Sequence, residues 1–293
     1  MATQSRFILG YRRQSDMVWL FSLAGILLLC FLLFCFLIAP SRRGNRTRDF
    51  FSDKRYYAHR GLHGGEIPEN SLAAFEAACR AGYGIELDVH RTADNQLCVF
   101  HDRTLKRMCG VDGTVEENTL AELRTLALAG TQERIPSFDE VLTLIDGRAP
   151  LIVEIQGENR DTDVCRLTAE RLRAYSGKYC VESFNPFYIS WWRKHMPHDV
   201  RGILSCRMKN GKSFRGRLQD FLLSNLLLNV IARPDFLAYS IPDRGNSAFR
   251  LSRRFGGCPV GWTCRTEEEK AASENAFCVV IFEKIRPDPE SLQ

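Results

Sequence analysis

The longest apolar stretch of the chain lies close to its N-terminus, where residues 17–39 contain no charged side chain. As an α-helix that rises about 1.5 Å per residue, this stretch reaches about 34 Å, enough to cross a bilayer core of about 30 Å. A cleaved signal peptide would have a shorter apolar region and a small-residue cleavage site, whereas Pro40 directly follows this stretch. We therefore predict a transmembrane helix over residues 17–39, preceded by a short N-terminal tail over residues 1–16.

Beyond residue 54, short β-rich runs alternate with stretches that carry helix-capping patterns such as Ser137-x-x-Glu140 and Thr266-x-x-Glu269. Eight strands that alternate with helices over about 240 residues are typical of a (β/α)8 TIM barrel. An open doubly wound sheet is the alternative, but the GxGxxG turn expected after its first strand is missing from the sequence. The predicted strands are Tyr56–His59, Gly84–Val89, Leu151–Ile155, Tyr179–Ser183, Arg201–Ser205, Phe236–Ser240, Pro259–Thr263 and Phe277–Phe282.

One passage interrupts this alternation. Only eight residues separate the strand that ends at Val89 from the β-rich segment that begins at Cys98, too few for a parallel crossover. We therefore expect an antiparallel hairpin with Asp94-Asn95 as a two-residue turn. That register sets Asp88 opposite His101, so a carboxylate and a histidine would meet at the end of a strand, where barrel enzymes build their sites.

Composition and charge exclude two classes of protein. With 45% hydrophobic and 26% charged residues, the chain is not intrinsically disordered. Residues 1–53 carry seven Arg and three Asp, a net charge of +4, whereas residues 54–293 carry 33 basic and 32 acidic side chains, a net charge of +1. A nucleic-acid-binding protein would spread positive charge over its body, so we expect no nucleic-acid partner.

The flanking charges also bear on the location of the body. Six basic residues follow the apolar stretch up to Arg55, whereas three precede it, and the positive-inside rule then favours a cytoplasmic body. The nine cysteines beyond the stretch form no CxxC pair, which is typical of reduced thiols, although an anaerobic exterior would give the same pattern. We predict a single-pass membrane protein in which a basic tether, residues 40–53, leads to a cytoplasmic catalytic barrel, residues 54–293.

Acidic side chains concentrate at the ends of predicted strands. Glu86 and Asp88 lie two positions apart on one strand and therefore point to the same face, as do Glu154 and Gln156 on another. Salt bridges to barrel Arg or Lys would account for one such carboxylate. Three that converge on a barrel mouth would repel one another unless a cation lay between them, and all-oxygen ligands favour Mg²⁺ or Ca²⁺ over zinc.

The segment His59-Arg60-Gly61 follows the first strand. Arg60 can donate two hydrogen bonds to a phosphate group, and Gly61 allows close approach of the backbone. His59 and His101 come from different elements and could share one proton-transfer cycle, with one as base and the other as acid. The remaining histidines lack such partners in the sequence and are expected at the surface or in turns: His63, His90, His195 and His198.

The ordered motifs HRG, PEN, ELD, FHD and EIQ, followed by SF, resemble the signature of the glycerophosphodiester phosphodiesterase family. The resemblance extends through VESFNP and VGWT and covers nearly all of residues 56–285. It implies a TIM barrel of the phospholipase C-like type that hydrolyses glycerophosphodiesters to glycerol 3-phosphate and an alcohol with one divalent cation. By motif, the resemblance implies Glu86, Asp88 and Glu154 as metal ligands, His59 and His101 as the acid–base pair, Arg60 as a phosphate contact, Glu69 and Asn70 as supporting residues, and Phe184 and Trp262 as the lining of the substrate pocket.

The chain departs from the family at Gln156, where the family usually carries Lys two residues after the metal-ligating Glu. A neutral amide thus replaces a cation that would contact phosphate, and we expect Gln156 to bind substrate in its place. Two alternatives to the simple diesterase stay open. One is a phosphodiesterase that acts on lysophospholipids or a cell-envelope polymer, and the other is a non-catalytic barrel that binds phosphodiesters.

The expected partner is therefore a small-molecule or lipid-derived phosphodiester, and the sequence leaves the oligomeric state open. A second apolar run, residues 221–232, is too short to span a membrane. It could lie in a membrane interface, but we expect it to form a buried helix of the barrel.

Overall fold

Eight parallel strands form a closed ring in the computed structural model, which describes residues 2–157, 160–209 and 211–289. The ring closes because the first strand pairs with both the second and the last, and the predicted TIM barrel is confirmed. All eight predicted strands are present, with ends within two residues of the prediction. The described strands are β1 (Tyr56–Ala58), β2 (Gly84–Arg91), β3 (Leu97–Val99), β4 (Leu151–Ile155), β5 (Tyr179–Ser183), β6 (Arg201–Ser205), β7 (Phe236–Ser240), β8 (Cys258–Cys264) and β9 (Val279–Phe282).

The helices mostly begin where the sequence offers a cap. The Ser137 and Thr266 hydroxyls accept hydrogen bonds from the backbone N–H groups of Glu140 and Glu269, as their capping patterns predict. The described helices are α1 (Ala2–Ile38), α2 (Gly44–Phe50), α3 (Leu72–Arg80), α4 (Lys106–Cys109), α5 (Leu120–Leu123), α6 (Phe138–Ile145), α7 (Asp163–Ala174), α8 (Pro186–His195), α9 (Phe214–Ser224), α10 (Asn229–Ala232), α11 (Ser247–Arg254) and α12 (Glu267–Glu274).

The strands are buried on both faces, because helices cover the outside of the barrel and side chains fill its inside. Strand β4 shows the alternation: Val153 packs in the large core under the helices, whereas Ile152 packs in a second core inside the barrel. Glu154 lies two residues beyond Ile152 and therefore faces the interior as well. The same alternation on β2 turns Glu86 and Asp88 inward.

The hairpin between β2 and β3 forms, but the predicted register is wrong by one residue. Val89 pairs with Val99, because the loop holds three residues and closes with Asn95 at φ 58°. Shifting a strand by one residue reverses its faces. Phe100 therefore lies opposite Asp88, to whose carbonyl it donates a 3.0 Å backbone hydrogen bond, and His101 falls just beyond the strand pair.

Helix α1 includes one segment, Trp19–Ile38, that is long and apolar enough to cross a membrane by length and composition. Its C-terminal end is fixed to the barrel. The carbonyl of Ile38, a fully buried residue, accepts hydrogen bonds from Asn229 Nδ2 at 2.9 Å and Ser252 Oγ at 2.8 Å. Of the predicted tail and barrel, residue 1, residues 158–159, residue 210 and residues 290–293 lie outside the described part of the chain.

Residues 40–53 pack against the N-terminal end of the barrel. Arg43 forms an ion pair with Asp235 at 3.1 Å. After α2, the Phe51 ring packs edge-on against the rings of Tyr57 and Phe236, with centroids 5.8 and 5.4 Å away. This end of the barrel interior is thus filled with aromatic side chains, and the open end lies at the C-terminal ends of the strands.

Candidate active site

Three buried carboxylates meet inside the C-terminal end of the barrel. Asp88 on β2 lies beside Glu154 on β4 in the parallel ladder, and one oxygen each of Glu86, Asp88 and Glu154 lies within 4.8 Å of the others. Burial, followed by repulsion from Asp88, raises the pKa of both Glu86 and Glu154 well above its usual value. Closely spaced, buried, all-oxygen donors fit a hard divalent cation, which would relieve this repulsion.

A fourth carboxylate, which sequence reasoning missed, lies next to these three. Glu182 on β5 neighbours Glu154 in the ladder, and its Oε2 atom is buried without a hydrogen-bond partner among the described residues. Burial raises the pKa of Glu182 to about 8, and repulsion from Asp88 contributes to that rise. Its position directly before the SF motif, at the end of a predicted strand, could have identified Glu182 as a site residue from the sequence.

Two amides hold the central carboxylate Asp88. Asn70 Nδ2 donates to Asp88 Oδ2 at 2.8 Å, and Gln156 Nε2 donates to Asp88 Oδ1 at 2.7 Å. Gln156 therefore points into the site, as the strand alternation predicts. Its side-chain N–H contacts a candidate metal ligand, so Gln156 can fix the orientation of Asp88.

The turn after β1 brings Arg60 against the carboxylates. Arg60 has φ 53° and Gly61 φ 79°, and a Cβ atom on Gly61 would lie 2.8 Å from the Cβ of Ala74. This turn lets the Arg60 backbone N–H donate to Glu86 Oε2 at 2.8 Å, while its Nη1 donates to Glu69 Oε1 at 2.7 Å. Arg60 is thus fixed at the edge of the carboxylate cluster.

His59 is oriented by a carboxylate from the other end of the chain. Its Nδ1 lies 2.7 Å from Glu283 Oε2, just beyond β9. Burial lowers the pKa of His59, and the hydrogen bond to Glu283 opposes that effect. His63 Nε2 lies 3.7 Å from the same carboxylate, so the expectation that His63 lacks a partner is wrong. Sequence reasoning missed Glu283, although it follows a predicted strand as the other site residues do.

His101 is oriented in a similar way. Its Nδ1 lies 2.6 Å from Asp102 Oδ1, and Arg107 donates to both oxygens of Asp102, at 2.6 and 2.9 Å. Arg107 also donates to Glu69 at 2.6 Å, which links this histidine to the Arg60 side of the site. Buried His90, predicted at the surface or in a turn, instead lies with Nε2 3.0 Å from the His101 carbonyl.

Two half-buried aromatic residues stand on the far side of the barrel mouth. Phe184 follows β5 and Trp262 lies on β8, and their rings pack edge-on with centroids 5.5 Å apart. The indole Nε1 of Trp262 is buried and lacks a hydrogen-bond partner among the described residues. Across the mouth, a cavity of about 340 Å³ is lined by residues that include His101, Asp102 and Gln156.

These parts define a class of site. His59 and His101 each have Nδ1 within hydrogen-bond distance of a carboxylate oxygen, which fixes the ring and leaves Nε2 available for proton transfer. Between them lie carboxylates suited to a divalent cation and an arginine suited to an anion. Such a set suits hydrolysis at phosphorus, where charge develops on oxygen and one proton must be taken while another is given.

Comparisons with known proteins give the family. Residues 59–196 match the model of the glycerophosphoryl diester phosphodiesterase family. A glycerophosphodiester phosphodiesterase of Bacillus altitudinis is 30% identical over 203 residues, which cover 65% of this chain and 74% of the relative. The lysophospholipase D GDPD1 of Rattus norvegicus is 34% identical over 151 residues, which cover 47% of this chain and 46% of the relative.

A solved structure supports the same fold. A phosphodiesterase of Oleispira antarctica, in complex with the product sn-glycerol-3-phosphate, superposes with a TM-score of 0.66 and 23% identity over 82% of this chain and 96% of that chain. The chain belongs to the glycerophosphodiester phosphodiesterase family and is an enzyme of the phosphoric diester hydrolase class. The resemblance found in the sequence motifs is confirmed.

Proposed function

We propose that the protein hydrolyses glycerophosphodiesters to glycerol 3-phosphate and an alcohol in a metal-dependent reaction that serves phospholipid and glycerol metabolism. The observation that carries this proposal is the set of three buried carboxylates whose oxygens lie within 4.8 Å of one another. Glu86, Asp88 and Glu154 would hold one divalent cation, Mg²⁺ or Ca²⁺. When bound, the cation would neutralise charge on the non-bridging phosphate oxygens.

The residues of the chain would bind the substrate and move its protons. Arg60 would bind the phosphate, and Phe184 and Trp262 would line the pocket for the glycerol or alcohol. One of His59 and His101 would accept a proton at Nε2 from the attacking oxygen, which belongs to water or to the glycerol moiety, as a new P–O bond forms. The other would donate a proton to the alcohol oxygen as its P–O bond breaks and the bonding pair leaves with that oxygen. Attack by water would give glycerol 3-phosphate directly, whereas attack by the glycerol hydroxyl would give a cyclic phosphate, in which water would then form a P–O bond as one ring P–O bond breaks and its oxygen is protonated.

The test is a substrate panel for the purified full-length protein in detergent. Glycerophosphocholine, glycerophosphoethanolamine, a lysophospholipid and a glycerol-phosphate polymer are incubated with Mg²⁺, with Ca²⁺ or with chelator, and phosphate monoester is measured. We expect release of glycerol 3-phosphate that stops with chelator and returns with one of the cations. No product from any diester with either cation would exclude catalysis, and full activity in chelator would exclude the metal.

A second candidate substrate is a lysophospholipid. The observation that favours it is the apolar helix segment Trp19–Ile38, which would keep the barrel beside lipid.

We propose that this segment is a membrane anchor and that the body faces the cytoplasm, because six basic residues follow the predicted segment and three precede it. A protease-sensitive tag at the C-terminus tests the orientation: its digestion in intact cells would place the body outside.

A further inference from the structure

Helix α9 has an apolar face that the barrel leaves uncovered. Phe214, Leu218 and Phe221 are 77%, 46% and 57% exposed. Because they are spaced by four and three residues, they lie on one side of the helix. The expectation of a buried helix over residues 221–232 is therefore wrong at its first residue, and of the residues in α9 only Ser224 is buried.

The same segment carries unpaired positive charge. Residues 207–224 contain five basic residues and one acid, Asp220. The exposed side chains of Lys209, Lys212, Arg215 and Arg217 form no ion pair within the part of the chain that the structure describes. An apolar helix face bordered by Lys and Arg has the composition of a helix that lies in the interface of an anionic membrane.

Helix α9 is held at the end of the barrel that carries the site. The Leu223 carbonyl accepts a hydrogen bond from Ser205 Oγ at 2.9 Å, at the C-terminal end of β6. The Ser224 carbonyl accepts one from Tyr239 Oη at 2.8 Å, near the C-terminal end of β7. The apolar face therefore stands beside the mouth of the barrel.

The membrane candidate α1 joins the barrel in the same sector. Its last residue, Ile38, is bonded to Asn229 at the start of α10, and α10 begins only a few residues after α9 ends. Helices α10 and α11, which precede and follow β7 in the sequence, both contact α1. Arg233, just before β7, donates to the carbonyls of Phe36 and Ala39, so α1 meets β7 near its N-terminal end, whereas α9 meets it near its C-terminal end. The anchor and the exposed face thus lie on one side of the barrel, at opposite ends of β7.

We propose that α9 docks on the anionic lipid surface in which α1 is anchored. Phe214, Leu218 and Phe221 enter the interface, and the four unpaired basic side chains contact lipid phosphates. A lipid surface is favoured over a protein partner because α1 keeps lipid close to this sector in every molecule. Docking brings the barrel mouth to the surface, so diesters that carry an acyl chain become its substrates. This inference rests on the proposed anchor and diesterase activity.

The test uses the full-length protein in lipid nanodiscs of phosphatidylcholine alone or with phosphatidylglycerol. Hydroxyl-radical footprinting measures the oxidation rate of Phe214 and Phe221, with Phe255, 40% exposed after α11, as internal control. We expect at least threefold slower oxidation of both in anionic discs than in neutral discs, and no change at Phe255. Equal rates in the two lipids, or protection that grows with protein concentration, would overturn lipid docking, the latter in favour of a protein contact.

A matched pair of variants sharpens the result. Lys212→Glu with Arg215→Glu should restore fast oxidation in anionic discs and slow hydrolysis of a lysophospholipid in the disc about fivefold. Arg80→Glu with Arg173→Glu makes the same change in net charge on α3 and α7 and should do neither. Hydrolysis of water-soluble glycerophosphocholine is measured in the same samples. If the wild-type protein does not hydrolyse glycerophosphocholine, the proposed activity is refuted. If it hydrolyses glycerophosphocholine but α9 is not protected in anionic discs, only the docking is refuted.

Discussion

At the N-terminal end of the barrel interior, Phe51 packs edge-on against Tyr57 and Phe236. At the C-terminal end, four buried carboxylates share one space, and the pKa of Glu182 rises to about 8 because burial disfavours its charge. The first arrangement stabilises the fold by removing apolar surface from water. The second destabilises the fold unless a cation binds. One end of the barrel thus stabilises the fold, whereas the other end carries the candidate active site at a cost in stability.

The largest expected effect is on catalysis at the C-terminal end. His59→Ala and His101→Ala should each lower kcat about 10²–10⁴-fold, because each removes one proton-transfer group. Steady-state kinetics with glycerophosphodiester gives the effect, and thermal unfolding checks that Tm stays close to wild type. Near-normal turnover in either variant would contradict the acid–base assignment of that histidine.

A substitution at the N-terminal end of the barrel should lower stability and leave catalysis unchanged. Phe51→Ala should cost about 3–4 kcal/mol of unfolding free energy, because it leaves a cavity among aromatic side chains, while kcat per folded molecule stays unchanged. Denaturant titration measures the loss. Phe255→Ala, at an exposed phenylalanine, is the control and should stay within about 0.5 kcal/mol of wild type. Equal effects of the two substitutions would mean that the aromatic end does not stabilise the barrel.

Metal binding should appear as added stability at the acidic end. A cation present at about 100 times its Kd should stabilise the protein by about 2.7 kcal/mol. Glu86→Gln, Asp88→Asn and Glu154→Gln should each weaken that effect, as measured by Tm with Mg²⁺, Ca²⁺ or chelator. The exposed Glu274→Gln is the control. An undiminished metal-induced rise in Tm in all three variants would exclude the proposed ligand set.

A smaller effect is expected at Gln156, whose amide contacts Asp88. Gln156→Lys should tighten binding of glycerol 3-phosphate by about 1 kcal/mol, the lower part of the Coulomb range for a charge about 4 Å from phosphate. The gain is limited because Asp88 competes for the new cation. Calorimetry at two salt concentrations should show greater salt sensitivity than in wild type. Loss of activity on one diester alone would instead make Gln156 a specificity residue.

The smallest expected change is a shift along the pH axis. Glu283 raises the pKa of His59 against the lowering effect of burial, so Glu283→Gln should lower that pKa. The limb of the kcat/KM profile that reports His59 should then move to lower pH, whether His59 acts as acid or base. Glu274→Gln, an exposed acid elsewhere, should leave the profile in place. A shift to higher pH would contradict the pairing of His59 with Glu283.

Much of this arrangement is local in sequence and was therefore predictable. Glu86, Asp88 and Glu154 lie on strands whose alternation fixes the direction of their side chains, and the helix starts follow capping side chains. The hairpin register was missed because the sequence fits a two-residue loop and a three-residue loop equally well. The structure distinguishes them by the 3.0 Å hydrogen bond from the Thr92 N–H to the Gln96 carbonyl, which leaves three residues in the loop.

The missed site residues depend on contacts between distant parts of the chain. Glu283 reaches His59 because β9 pairs with β1 when the barrel closes. Arg107 reaches Glu69 from the short helix α4, whose four residues are too few to show a helical period in the sequence. Hydrophobicity alone also could not say whether Phe221 is covered by protein or left exposed on α9.

The connection between α1 and the barrel has a mechanical consequence. Ile38 accepts hydrogen bonds from Asn229 and Ser252, and Arg43 forms an ion pair with Asp235. The segment that joins the helix to the barrel is therefore fixed to the barrel surface. A flexible linker would let the body rotate and sample a volume set by linker length. If α1 spans a bilayer as proposed, its tilt would tilt the barrel with it, and bilayer thickness, which affects helix tilt, would then change the direction in which the mouth of the barrel points.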